Sequence, residues 1–216
     1  MTGTSPHGAL ATQPRGARLP RSARRAQLLD AALEIFVANG YHAAAMDEIA
    51  ERAGVSKPVL YQHFPGKMEL YLALLDQSCD SVVDAVRRAL TSTEDNKARV
   101  AAAVEAFYTY VANERAGFRL VFESDLTNEP HVRERVERVT EVTSALIAEV
   151  IEDDTGLPPE ASRLLAVSLV GMAQVSARYW LAGGGRPDQQ TAVALVSGLA
   201  WRGIRGYPRT DVPPPD

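Results

Sequence analysis

From Ser22 to about Ile204 the apolar residues of this 216-residue chain recur every three or four positions, and no stretch sustains the alternation of a half-buried strand. Leu29, Ala32, Leu33, Phe36 and Val37 set the pattern at the front. Thirty-three alanines reinforce it, because Ala is the strongest helix former. Glycine and proline fall between the periodic segments: Asn39-Gly40, Gly54, Pro65-Gly66, Pro130, Gly156 with Pro158 and Pro159, and Gly183–Gly185 with Pro187. The expected fold is all-α with about nine helices. They cover Ser22 (as N-cap) to Asn39, Met46–Ala53, Lys57–Phe64, Lys67–Leu90, Lys97–Asn113, Phe118–Leu126, His131–Asp153, Glu160–Ala182 and Asp188–Ile204. Residues 1–20 read as a disordered basic arm and 211–216 as a disordered tail. Between them lie a front helical domain (21–66) and a larger rear helical domain (67–210).

Several function classes drop out. One cysteine, Cys79, permits no intramolecular disulfide and no zinc-finger spacing, and it points to a reducing compartment. The charge-free run Leu164–Ala177 is too short and too polar for a membrane span, so a buried helix is expected there. With no apolar core of signal-peptide length behind the N-terminus, a cytoplasmic location is expected. No catalytic constellation emerges. Gly183–Gly185 lacks the following Lys-Ser/Thr of a phosphate cradle, and His7, His42, His63 and His131 are scattered without metal-ligand spacing. No catalytic residue, metal or cofactor is expected.

The net charge of −4 hides a split. Residues 1–67 carry eight Lys/Arg against five Asp/Glu, while residues 68–216 carry fifteen against twenty-two. Arg15, Arg18, Arg21, Arg24 and Arg25 all precede the first acid, Asp30, and place a polyanion-facing end at the front. There, two short helices joined by Gly54-Val55-Ser56 have the dimensions of a helix-turn-helix. On the second, Leu60 and Phe64 share a buried stripe, Pro58, Val59 and Gln62 face away from it, and Tyr61 and His63 occupy the shoulders. Gln62 suits adenine and Pro58 and Val59 suit thymine methyls, while Ser56, Lys57, Lys67, Arg24 and Arg25 are placed for phosphates. An ordinary helical hairpin in an all-α core is the alternative.

Ile35–Tyr41, Met46–Lys57, Leu60–Phe64 and Lys67 together resemble the signature of the TetR family of bacterial transcriptional regulators, over about 50 of the 216 residues. The resemblance implies a homodimer that binds a double-stranded, pseudo-palindromic operator and a small effector and dimerises through its last two helices. It also implies that positions 58, 59 and 62 face bases and that Tyr61, His63 and Lys67 hold phosphates. Ala45 departs from the usual Thr or Ser cap, and Val59 from the usual Thr or Ser.

In the rear domain, Gly117–Asp125, Ala166–Met172 and Ala177–Leu181 are similar to family members that control fatty-acid synthesis and sense long-chain acyl-CoA. That likeness implies a long-chain acyl-CoA effector and lipid-metabolism targets; a multidrug-sensing repressor of an efflux gene is the alternative. Phe107, Val111, Phe118 and Phe122 are candidate cavity walls, or plain core, and Arg119 and Arg178 candidate cations for an effector's phosphates. Arg119 has Glu123 as an alternative salt-bridge partner. Leu165, Leu169, Met172, Leu195, Leu199 and Trp201 are the candidate dimer interface, with intramolecular burial as the alternative.

Overall fold

A computed structural model describes residues 19–113, 115–122, 126 and 128–205; the side chains of residues 115, 116, 118 and 203–205 are likewise left out. Most of the basic arm and the whole C-terminal tail lie outside the described residues. These form nine helices and no strand: α1 (Arg21–Ala43), α2 (Met46–Arg52), α3 (Lys57–His63), α4 (Lys67–Leu90), α5 (Asn96–Asn113), α6 (Arg115–Phe122), α7 (Pro130–Thr155), α8 (Pro159–Ala182) and α9 (Gln189–Arg205). The expected all-α class holds.

Most boundaries fall within two residues of those read from glycine and proline, with three corrections: α1 runs on to Ala43, four residues past Asn39, across a kink at Gly40. Ser22 lies inside α1, because Pro20 takes the N-cap position with extended backbone. And α6 starts and ends earlier than Phe118–Leu126, leaving Leu126 buried in a turn. Ala45 caps α2 without a side-chain hydrogen bond, as its missing hydroxyl requires.

The α2–α3 turn is a Schellman closure. The Val55 amide donates to the Ala50 carbonyl (3.0 Å) and the Gly54 amide to the Glu51 carbonyl (2.9 Å). Gly54 supplies the left-handed residue at φ 64°.

A continuous apolar core joins the front to the rear. Leu28, Leu29, Ala32 and Phe36 of α1 meet Ile49, Leu60 and Phe64 of α2–α3 and Leu70, Tyr71, Leu74 and Leu75 of α4. The same cluster continues through Val82 to Val104, Phe107 and Tyr108 of α5, Val132 and Val139 of α7, and Ala177 and Trp180 of α8. α6 packs on both α1 and α4.

The rear helices correct two expectations. α8 is not a buried helix: only 22% of its most apolar stretch is buried within the chain, although it is long and apolar enough by length and composition to cross a membrane. Its buried positions are the small residues Ser162, Ala166, Val170 and Ala177, together with Trp180. Leu165 and Leu169 therefore flank the inner seam and pack around Ala148 and Ile151, while Leu169, Met172 and Trp201 line an internal cavity. The outward face of α8 carries Leu164, Val167, Val175 and Tyr179 instead, and that of α9 carries Leu195 and Leu199. Of the six candidate interface residues, only Leu195 and Leu199 point away from the chain's own core.

Replacing Gly54 by Ala forces a left-handed residue to carry a Cβ, though nothing lies within 4 Å of it. The cost is then purely conformational, about 1–2 kcal/mol. Chemical denaturation should show that loss, with DNA binding retained below the midpoint.

Candidate nucleic-acid interface and apolar cavity

On α3, Leu60 and Phe64 are buried, and Ser56, Lys57, Pro58, Tyr61 and Gln62 are exposed, with Val59 and His63 between the two classes. The helix thus buries one stripe and offers the opposite face outward, with Gln62 and Pro58 at its centre. Ser56 occupies the N-cap position, but its hydroxyl makes no cap hydrogen bond.

The surroundings brace that face. Lys57 pairs with Asp47, Arg52 with Glu34, and the Asn39 amide donates to the Glu48 carboxylate. These pairs are solvent-exposed and individually weak; together they tie α1 to α2 and α2 to α3. Gln27 does the same from inside, donating to the Ala53 carbonyl (2.8 Å) while accepting from Arg24 (2.8 Å). Arg25 lies over the Phe64 ring at 4.8 Å, beside an open groove shared with Ala73 and Asp76. Burial, and then the positive charges of Arg21, Arg25 and Arg24, hold the His63 imidazole below its usual pKa. Three arginines thus gather positive charge beside α3.

Lys67 is engaged differently from the other cations. Its Nζ donates to the carbonyls of Tyr41 (2.8 Å), His42 (3.2 Å) and Ala44 (2.9 Å), and sits 4.6 Å from the Tyr41 ring centre.

The rear domain holds a partly open apolar cavity of about 100 Å³, well above the space of about 10–15 Å³ that one water needs. On α5 its wall runs from Asn96 and Arg99 through Ala103 to Phe107, about 16 Å along the helix axis. Val82 and Val86 of α4, Val139, Thr143 and Ile147 of α7, and Met172 of α8 close the other sides. One end is polar, where Asn96, Arg99 and Asp154 meet. The other lies under α6, where the Phe107 and Phe122 rings meet edge to face at 6.2 Å. Midway, the buried Thr143 hydroxyl has no hydrogen-bond partner.

Two of the six candidate effector residues, Phe107 and Phe122, line this cavity. Val111 is fully buried core away from its wall, and the Phe118 side chain lies outside the described residues. Arg119 is exposed and off the wall, and its alternative partner Glu123 is not described. Arg178 is exposed too, donating to the Phe122 carbonyl at 3.4 Å. The cavity wall runs along α4, α5 and α7, away from the outer face of α6 that carries Arg119. The cation on its wall is Arg99, held by the Thr93 carbonyl (3.0 Å) and the Asn96 side chain (2.6 Å). A sequence signal existed, because Arg99, Ala103 and Phe107 recur every four residues on one face of α5. Among the described residues no group of three His, Cys, Asp or Glu side chains could hold a metal.

Residues 28–74 match the signature of bacterial regulatory proteins of the tetR family, and residues 96–203 that of the tetracyclin repressor-like C-terminal domain. The chain belongs to the TetR family. Over 196 residues it is 50% identical to the HTH-type transcriptional activator FasR of Mycolicibacterium smegmatis, covering 91% of this chain and 90% of that one. A TetR-like transcriptional regulator from a Rhodococcus species superimposes with a TM-score of 0.73 at 31% identity, over 88% of this chain and all of that one. The transcriptional regulator FadR of Bacillus subtilis, solved in complex with stearoyl-CoA, shares the fold: TM-score 0.67 at 19% identity, over 81% of this chain and 96% of that one. This TetR-family chain is therefore a DNA-binding transcriptional regulator of helix-turn-helix type, not an enzyme.

The orphaned Thr143 hydroxyl offers a direct check on the cavity. In the ligand-free protein, Thr143→Val keeps the shape and removes an unpaired buried hydroxyl, so stability should rise by about 1 kcal/mol or more. Thermal unfolding without added lipid measures it.

Proposed function

We propose that this regulator works as a homodimer on a pseudo-palindromic operator, in the cytoplasm, and that a long-chain acyl-CoA or a similar amphiphile controls it at lipid-metabolism genes. The observation that carries the effector reading is the cavity itself. It is apolar and extends along α5, which suits an unbranched chain, and its polar end carries a cation, an amide and a carboxylate, Arg99, Asn96 and Asp154, for a polar head. Identity to FasR along nearly the whole chain supports the same class of target.

In this reading Pro58, Val59 and Gln62 meet bases, and Ser56, Lys57, Tyr61 and His63 meet phosphates. Occupancy of the cavity spreads the walls formed by α4, α5 and α7. Because α4 continues to Lys67 beside the helix-turn-helix, its tilt sets the spacing of the two recognition helices. An effector acts only through unequal affinity for the two shapes.

The outward face of α8 and α9 supports the dimer. Tyr179 is 80% exposed, Leu164 68%, Val175 65%, and Leu195 and Leu199 63% each. An apolar face of this extent on a soluble chain marks an interaction site, and two helices per chain form a four-helix seam about a two-fold axis. Nothing lies within 4 Å of a Cβ built on Gly171 or Gly198, so a second chain has room to approach closely there.

Two experiments test this. Ala103→Trp fills the cavity from the α5 wall. Calorimetric titration with stearoyl-CoA should then show affinity reduced at least about tenfold, with DNA binding unchanged; unchanged stearoyl-CoA affinity would place the ligand elsewhere. Val175→Glu buries a charge at the seam, and light scattering should show monomers where the unmodified chain gives dimers. A dimeric Val175→Glu protein would contradict the seam.

A further inference from the structure

Thr143 of α7 belongs to the cavity wall, is only 6% exposed, and has no hydrogen-bond partner for its hydroxyl among the described residues. Hydroxyls inside helices ordinarily return to a carbonyl of the preceding turn. Ser144 does so on the Thr140 carbonyl and Thr155 on the Ile151 carbonyl, both at 2.6 Å. Ser168 and Ser197 do the same within α8 and α9. Thr143 is the exception, and of these five residues it is the one that lines the cavity. A helical threonine has two accessible χ1 wells, so one rotation turns its hydroxyl between helix and lumen.

A second polar group stands beside it. Gln174 of α8 lines the same cavity, and its Nε2 donates to the Thr140 hydroxyl at 3.3 Å. Thr140 and Thr143 are three residues apart and so neighbours on one face of α7. Amide and hydroxyl thus form one polar station, in a wall built around them from Val139, Ile147, Met172 and Ala173. The Gln174 Oε1 receives no hydrogen bond among the described residues. This station is well separated from the polar end of the cavity. Thr143 precedes Asp154 by eleven residues of α7, about 16 Å along the helix axis.

We propose, resting on the reading that this cavity takes an amphiphile, that Thr143 and Gln174 select an acyl chain carrying a hydroxyl in its interior, about 16 Å from its head. An alcohol fits both groups, because it accepts from the Thr143 hydroxyl and donates to the Gln174 Oε1. An unsubstituted chain covers the station with methylenes and leaves both groups dry and unpaired, which is the costly arrangement for a buried polar atom. A chain hydroxyl removes that cost on the protein side and finds partners for itself. A wall that serves plain hydrocarbon alone is better made with valine, which has the shape of threonine without its oxygen.

Oleoyl-CoA and ricinoleoyl-CoA differ by one hydroxyl in mid-chain, and calorimetric titration of the full-length protein compares them. The unmodified protein should bind ricinoleoyl-CoA about tenfold more tightly. Thr143→Val should erase or reverse that preference with oleoyl-CoA affinity equal or higher, and Thr143→Ser should keep it. A packing role for Thr143 would instead move both affinities together. Equal affinities in the unmodified protein, or a preference that survives Thr143→Val, overturn the proposal. Stearoyl-CoA against its β-hydroxy derivative checks the depth: a gain from a hydroxyl beside the thioester would put the head group at Thr143 and contradict the assignment. The cavity reading fails separately. If neither ligand binds, or if Ala103→Trp leaves both affinities unchanged, the amphiphile site itself falls and the station with it. Binding that Ala103→Trp weakens, without preference for the hydroxyl, removes the station alone.

Discussion

The burial of α4 is the constraint from which the remaining architecture follows. This one helix supplies Leu70, Tyr71, Leu74 and Leu75 to the core of the front helices and Val82 and Val86 to the rear bundle. A helix shared by two packed layers cannot tilt in one of them alone, because close-packed interiors transmit displacement and do not absorb it. The cavity sits against the rear half of α4, and the recognition helix is only three residues of connection, Phe64 to Gly66, away from its front end. DNA-facing geometry and cavity shape are therefore properties of the same rod.

α6 adds a second route. It packs on α1 and α4 from the side, and its last residue, Phe122, is also a wall of the cavity against Phe107. A ligand tail that displaces the Phe122 ring pushes on an element in contact with the front core. Arg178 of α8 also reaches this end of α6, donating to the Phe122 carbonyl at 3.4 Å.

How much of this could be read from residue order depends on what each feature leaves in the sequence. The recognition helix was legible in full, because α3 has a single apolar stripe and Leu60 and Phe64 mark it without ambiguity. α8 was legible as a helix but not as a face. Leu164, Leu165, Val167, Leu169, Met172 and Val175 ring it with apolar side chains, and which side turns inward is decided by the small residues Ala166, Val170 and Ala177 fitting against α7. Arg119 and Arg178 drew attention by adjacency to apolar residues, yet adjacent residues on a helix face different ways. The acceptors of Lys67 are backbone carbonyls, which carry no residue identity at all, so no pattern in the sequence could have paired them with that ammonium.

The central claim is that an amphiphile in the rear cavity alters the packing between α4 and the front helices. Amide hydrogen exchange with and without stearoyl-CoA addresses it residue by residue. The account predicts slower exchange in the cavity-lining turns of α5 and α7, accompanied by a change at residues 66–71 and 40–45, some distance from any ligand contact. Protection confined to the cavity walls, with exchange at the α1–α4 joint unaltered, would contradict it.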